Sequence, residues 1–375
     1  MQPYEFQYGP KLIAGPGAAR RLKEVLPPGP CLFVTDANVR ALGLADAVLE
    51  ALPDAIVFDA VEQDPSRETL MAAVAAGEGC VSVVGFGGGS PMDVAKLAAY
   101  LIATKEDLDT LWGVGKALGR KLPLALVPTT AGTGSEATPV TVITVGSTEK
   151  RGVNSPALLP DWAVLDPELT LSLPRAVTAA TGIDAMVHAI EAYTSARLKN
   201  PMSDMFARKA MRLISDYLVR ACDAPDDLEA RGKMLLAAHL AGIAFANAPV
   251  AGVHALAYPL GGHFHVPHGL SNALMLTHVL GHNMQSAMPL YAELGAMLDP
   301  GIADLGLQGQ AQGLVQHLAR LSRATGVPRR LSEVGVGPEH LDLLAAEAMK
   351  QERLLINNPC PISQADARRL YEAAL

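Results

Sequence analysis

Through about Leu165 the chain alternates short, continuous apolar runs with helix-period stretches, and this alternation restricts the fold more than any other feature. Cys31 to Asp36 (CLFVTD), Ala55 to Asp59 (AIVFD), Cys80 to Gly89 (CVSVVGFGGG) and Leu122 to Thr130 (LPLALVPTT) are the candidate strands. Each is apolar at successive positions, as expected of parallel strands covered on both faces. Between them lie helical stretches such as GAARRLKEVL and SRETLMAAVAAGEG. A β–α order of this kind implies an open, doubly wound sheet. A further β-rich piece, VTVITV followed by WAVLD, closes this half.

After PELTLSLP the period changes. From Pro174 onward the chain reads as long Ala-, Leu- and Met-rich helices, with DMFARKAMRLISDYLVRAC and LEARGKMLLAAHLAGIAFAN as clear cases of period 3.6. Two domains are therefore expected, residues 1–173 and 174–375, and the length of 375 residues agrees. Half the residues are apolar, enough for real cores and against disorder. The formal net charge is −8 and no basic run exceeds two residues, which argues against a nucleic-acid partner. Cys31, Cys80, Cys222 and Cys360 are far apart and form neither a disulfide framework nor a thiolate zinc site, as suits a reducing compartment. The N-terminus lacks the layout of a signal peptide. The most apolar window, Leu240 to Gly262, is broken by Asn247, Pro249 and His254; it reads as a buried helix followed by a loop, not a membrane span. A cytoplasmic location is expected.

Two turns in the first half suit a nucleotide. GFGGGSPMDVAK follows a strand and opens a helix. Gly87, Gly88 and Gly89 permit a tight turn and close backbone approach. Ser90 is expected as N-cap, Pro91 at the first helical position, and Asp93 as the acid of a capping box. The helix start would then offer N–H groups to a pyrophosphate. The pattern is not G-x-G-x-x-G, and no acid follows at the usual spacing. Asp36, at the end of CLFVTD, is the candidate ribose-binding acid instead, and a carboxylate there favours NAD over NADP. The second turn, PTTAGTGSEAT from Pro128 to Thr138, again follows a strand, and its glycines and hydroxyls would let a nucleotide come close.

Val253 to Ala273 (VHALAYPLGGHFHVPHGLSNA) holds four of the ten histidines: His254, His263, His265 and His268. TGIDAMVHAIEAY places Asp184 and His188 four residues apart, on one helical face. With histidines from the cluster, this pair would complete a site of one oxygen and three nitrogens. That donor set suits Fe(II) or Zn(II), not Ca(II) or Mg(II).

At this point the chain resembles the iron-containing alcohol dehydrogenase family, the group that includes lactaldehyde reductase and 1,3-propanediol dehydrogenase. GGGSPMDVAK, PTTAGTGSEAT, LPDWAVLDPELTLSLP, ATGIDAMVHAIEAY and VPHGLSNA occur in the family's order over the whole length. The resemblance implies a Rossmann-like, NAD-binding α/β domain with an open parallel sheet, followed by an all-α metal-binding domain. It implies Asp184, His188, His254 and His268 as ligands of Fe(II), or of Zn(II). GGGS would hold the pyrophosphate, and Thr129, Thr130, Thr133 and Ser135 the adenosine and nicotinamide side; Lys150 matches a further position near the cofactor. Many relatives have a histidine four residues after the third ligand, where this chain has Tyr258. Tyr258 and His265 are thus the candidates for the proton path.

The implied reaction is hydride transfer between nicotinamide C4 and the carbon of a short-chain alcohol or aldehyde whose oxygen the metal binds. The substrate would be the small-molecule partner, and the chain a homodimer with no membrane partner. A hydroxy-acid dehydrogenase, a maleylacetate reductase-like oxidoreductase and a non-redox enzyme like dehydroquinate synthase stay as alternatives. A scaffold subunit is disfavoured, because scaffolding needs no complete ligand set.

Overall fold

The computed structural model describes residues 3–146 and 149–375. They form two compact units. One is Tyr8–Ser172; the other is Leu173–Leu375 with the segment that ends at Gln7. That segment is tied to the helical unit by hydrogen bonds no local pattern announces: the Gln7 N–H donates to Asn247 Oδ1 at 2.6 Å, and Asn247 Nδ2 donates to the Gln7 carbonyl at 2.9 Å.

In the Tyr8–Ser172 unit the strands are β1 (Lys11–Ala14), β2 (Cys31–Val34), β3 (Ala55–Phe58), β4 (Ser82–Gly87) and β5 (Gly113–Val114). They continue as β6 (Leu124–Pro128), β7 (Val140–Val145), β8 (Glu149–Asn154) and β9 (Trp162–Leu165). The main sheet has the order β1-β9-β6-β4-β2-β3 and every described pairing in it is parallel. The central strands β2, β4 and β6 are buried at every residue, as their unbroken apolar runs require. One face packs on the Gly89–Thr104 helix through residues such as Met92, Ala95 and Leu97. The other gathers Leu22, Val48, Phe33 and Phe86, the two phenyl rings lying 5.3 Å apart.

Three features depart from the sequence reading. The Ala55–Phe58 strand is an edge, with Ile56 40% and Val57 39% exposed, although its apolar run looks like that of a central strand. VTVITV does not join the main sheet; it pairs antiparallel with the polar strand EKRGVN, from Val140↔Asn154 to Val145↔Glu149. The four-residue strand β1, mostly exposed, adds to the opposite edge beside β9 and carries too little pattern to stand out.

The chain runs outward from β2 to β3, then returns so that β4 lies on the other side of β2. This reversal is a topological switch point, and ligands of open α/β sheets bind beyond the carboxyl ends of the strands there. Asp36 follows β2, Gly87 ends β4 and Thr129 follows β6, so these three expected nucleotide residues share that end of the sheet, while Lys150 lies on β8 of the smaller sheet.

The helical unit holds long helices at Arg175–Tyr193, Pro201–Asp223, Leu228–Asn247, Gly252–Phe264, His268–Leu298 and Leu307–Thr325. Asn200 and Asp227 cap two of them, each accepting a hydrogen bond from the backbone N–H three residues on. The apolar window Leu240 to Gly262 spans the end of one helix and most of the next, which meet at a bend of 107°. Its second part is thus a helix and not the expected loop. Burial of Val253, Leu256, Ala257 and Leu260 stabilises helix there despite Pro259 in its interior. Among the described residues no single helix is long and apolar enough to cross a membrane.

Two glycines bring these helices into close register. At Gly182 an added Cβ would collide with Leu218 and reach Met234 at 3.0 Å. At Gly269, directly after His268, it would collide with the Ala180 carbonyl and lie 3.3 Å from Asp184 Cβ. The His268–Leu298 helix therefore starts against the backbone of the helix that carries Asp184 and His188. Gly269→Ala should gain up to about 1 kcal/mol in helix propensity yet lose more by overpacking, about 1–3 kcal/mol. Urea unfolding should show net destabilisation; an unchanged or higher midpoint would mean that the two helices have room to part.

Candidate functional site

The Arg175–Tyr193 helix is buried over most of its length, and Ala, Gly and Ile surround its polar groups. Asp184 and His188 project from one face of it, 2% and 5% exposed. His254 comes from the first turn of the Gly252–Phe264 helix and is also buried, while His268 opens the next helix and keeps 44% of its side chain exposed. One donor atom from each of these four residues lies within 4.8 Å of all the others. Asp184 Oδ1 is 3.9 Å from His188 Nε2, 3.9 Å from His254 Nε2 and 3.6 Å from His268 Nε2.

These residues fit a metal ion. Donors bonded tetrahedrally at about 2.0–2.2 Å sit roughly 3.3–3.6 Å apart, only a few tenths of an ångström inside the separations seen here. Three imidazole nitrogens and a carboxylate oxygen crowd together in a nearly dry pocket, an arrangement that a cation stabilises. Burial pushes the Asp184 carboxyl upward, but His188, His268 and His254, with the Asn272 amide, outweigh it and hold the group below the usual carboxylate value. His268 is the one exposed residue of the four.

Asn272 closes another side. Its Nδ2 lies 2.7 Å from Asp184 Oδ1, 3.2 Å from His254 Nε2 and 3.3 Å from His268 Nε2. Behind the ligands, Phe245 stacks on His188 with ring centroids 4.4 Å apart. Tyr258, one turn after His254, brings its ring to 5.8 Å from that of His268. Tyr258 thus joins the cluster. His265 does not: it takes the left-handed conformation (φ 54°) that ends its helix, is exposed, and its side chain makes no ring contact or hydrogen bond among the described residues. The helix ends at His265, which separates this residue from the cluster that Tyr258 joins. His263 is likewise exposed.

On the nucleotide side, Gly87 has φ 150°, and an added Cβ would meet Pro91 Cγ at 2.8 Å and Asp36 Oδ2 at 3.3 Å. Glycine is required there. The next helix begins at Gly89, with Gly88 at its N-cap and no side chain capping it. This corrects the expected cap. Ser90 lies inside the helix, and its hydroxyl accepts from the Asp64 N–H at 3.3 Å. A glycine N-cap with no side-chain acceptor leaves the first helical N–H groups available to an anion. Thr130 and Thr133 stand beside it, 3.8 Å and 3.1 Å from where a Cβ would sit on Gly88 and Gly89. Thr129 is buried, and its N–H donates to the Gly87 carbonyl at 2.9 Å. Asp36 caps the helix after β2 through Oδ1, which accepts from the Val39 N–H at 2.9 Å, and its other oxygen faces Gly87.

Asp93 and Ser135 are placed differently from the expectation. Asp93 forms no capping box. It accepts from Ser135 Oγ at 2.7 Å and from the Val142 N–H at 2.9 Å. Lys96, wholly buried, donates to Ser135 Oγ at 2.7 Å, Thr138 Oγ1 at 3.2 Å and the Val140 carbonyl at 2.6 Å. These groups tie the two turns together through hydrogen bonds to one another. Burial pulls the Lys96 ammonium down to about 8, with Asp93 and Glu136 opposing, and burial raises Asp93 against the pull of Lys96. Lys150 forms an ion pair with Asp64, the residue whose N–H reaches Ser90.

Sequence reasoning passed over Glu191, Asn272 and Lys96. Glu191 is three residues after His188 on the same buried helix, and Asn272 is four after His268; polar residues at those offsets from ligands were the available signal.

Comparison with known proteins covers both units. Residues 9–167 match the family model described as iron-containing alcohol dehydrogenase, and residues 178–375 match that of the Fe-containing alcohol dehydrogenase family, C-terminal. The chain is 42% identical to long-chain-alcohol dehydrogenase 1 of Geobacillus thermodenitrificans over 352 residues, 92% of this chain and 89% of that protein. It is 33% identical to the NAD-dependent methanol dehydrogenase of Bacillus methanolicus over 377 residues, 98% of each. A crystal structure of 1,3-propanediol oxidoreductase superposes with a TM-score of 0.96 at 32% identity, covering 100% of both chains.

The Lys96 cluster yields a test of its own. Removing one partner of a buried charged pair costs about 3–5 kcal/mol, because the other is left uncompensated. Lys96→Met should destabilise the protein by about that much in urea unfolding, and Lys96→Met with Asp93→Asn should cost less than the sum of the two single changes. A cost below about 1 kcal/mol for the single variant would mean that the ammonium is not what joins the turns.

Proposed function

The chain belongs to the iron-containing alcohol dehydrogenase family, and from that premise we propose that it interconverts a short-chain alcohol and its aldehyde with NAD(H), at a metal held by Asp184, His188, His254 and His268. At the coarser level it is an NAD-dependent, metal-binding oxidoreductase of that family. The observation that carries the metal site in this reading is the convergence of four donor atoms within 4.8 Å, three of their residues buried. Fe(II) and Zn(II) both suit the donor set; Zn(II) stands higher in intrinsic affinity, so supply would decide the occupant.

When bound, the metal supplies Lewis acidity at the substrate oxygen, and NAD(H) supplies the hydride acceptor or donor. The chain's own groups do the rest. Asp184 brings a negative charge that partly offsets that of the cation. Phe245 stacks on His188 and Tyr258 lies beside His268, so apolar ring surface packs on two of the ligands. A phenol has a pKa near 10 and is a weak general base at neutral pH, so Tyr258 shapes the pocket more than it moves protons. Asp36 offers Oδ2 to a ribose hydroxyl and repels a 2′-phosphate. Gly88 and Gly89, with Thr130 and Thr133 alongside, form the cradle for the pyrophosphate.

The test joins metal analysis to NADH absorbance on one preparation, with alcohols from methanol to long chains. One metal per chain and the highest kcat/KM on short alcohols are expected. His254→Ala should lose both metal and turnover; full metal content in that variant would remove His254 from the site. A preference for long alcohols would overturn the chain-length part alone.

A preference for NAD over NADP of at least about tenfold in kcat/KM, roughly 1.4 kcal/mol, is expected. Asp36→Gly should relax it. Glycine keeps the N-cap to within a few tenths of a kcal/mol, so the fold should tolerate the change. Equal use of both cofactors by the unaltered protein would refute the role given to Asp36.

A further inference from the structure

Glu191 is 3% exposed and lies on the helix that carries Asp184 and His188. A carboxylate so deeply buried needs strong partners. It has three, all donors from the start of the neighbouring Gly252–Phe264 helix. Oε2 accepts from the Ala251 N–H at 2.9 Å and Oε1 from the Val253 N–H at 2.6 Å. Oε2 also lies 2.7 Å from His254 Nδ1. No side chain of the helix's own N-cap, Ala251, caps it, so Glu191 does so from outside, with its negative charge at the positive end of the helix dipole. The remaining nitrogen of the same ring, Nε2, faces Asp184.

From this geometry we infer that Glu191 is the positioning residue of the metal site, resting on the reading of the four donors as ligands. An anionic carboxylate at Nδ1 requires the proton to sit on Nδ1. Nε2 then carries the lone pair, the form that a cation needs. The bond also fixes the rotation of the ring. Because Glu191 shares a helix with Asp184 and His188, it fixes the spacing between the helix that supplies two ligands and the helix that supplies the third. Ser, Asn or Asp at the N-cap would satisfy the helix end alone. Only an acceptor reaching both the backbone and the ring couples the helix start to the ligand.

The test separates this role from simple helix capping. Wild type and Glu191→Gln are stripped of metal with a chelator, and Zn(II) is titrated against a competing chelator of known affinity. Thermal midpoints are read with and without Zn(II). Glutamine keeps the length of the side chain but has one acceptor oxygen in place of two and no charge. Loss of such an outer partner weakens metal binding about 10–100-fold, and that rise in Kd is expected here, together with a smaller Zn(II)-induced rise in midpoint. If Glu191→Gln does not fold, Glu191→Asp keeps the charge but draws it back by one methylene, and the same rise in Kd is expected. A lower midpoint for the stripped variant with Kd within about threefold of wild type would show capping alone and overturn the inference. Wild type that binds no Zn(II) would overturn the metal-site reading, and this inference with it.

Discussion

Four lone-pair donors, three of them on buried residues, impose the condition that the helical unit has to meet. Asp184 Oδ1 stands within 3.6–3.9 Å of three imidazole nitrogens. Such a group of acceptors is costly in a dry interior unless each has a hydrogen-bond donor or a cation. The surroundings are built around this requirement. Asn272 supplies an amide, and Glu191 takes up the Nδ1 side of His254. Gly182 and Gly269 let three helices close on the helix that bears Asp184, at distances a side chain would not allow. The small residues of ATGIDAMVHAIEAY thus serve the polar ones. Close backbone approach lets ligands from separate segments reach a common point.

The nucleotide end of the other unit solves the opposite problem. It must leave polar groups available at its surface. Gly88 at the N-cap leaves the Gly89–Thr104 helix without a side-chain cap. Gly87, in a conformation that disfavours other residues, lets Asp36 and Pro91 occupy the space a side chain would take. Such a surface needs rigid support, and Lys96, Asp93, Ser135 and Thr138 provide it one layer below. The residues that look most suited to a ligand by type are therefore divided between presenting and supporting. Thr130 and Thr133 stand beside Gly88 and Gly89, while Ser135 bonds to Asp93 and Lys96.

The sequence by itself determined the parallel sheet, because unbroken apolar runs at β2, β4 and β6 have few other stable uses. It determined the change to helix after Pro174, because a period of 3.6 persists there over many turns. Asp184 with His188 was legible because both lie on one helix, where spacing in sequence is spacing in space. Asp36 at a strand end and glycines at a helix start were legible for the same local reason. Motif order then singled out His254 and His268 from a cluster of four, which spacing had left open.

Only the tertiary structure decided how the remaining groups are used. It put AIVFD at an edge and VTVITV in a separate hairpin, since exposure depends on which strands happen to be neighbours. It moved the cap from Ser90 to Gly88 and drew Asp93 into a buried network, because the backbone of β7 and the turn at Ser135 offered better partners than a capping box. It turned His265 outward and Tyr258 inward, though both lie in one histidine-rich stretch, because the helix ends at His265. It also joined Glu191 to His254 across 63 positions of chain. A hydrogen bond between side chains of different helices leaves no periodic trace in either one. Its cause is the closeness of the two backbones, and that exists only once the unit has packed.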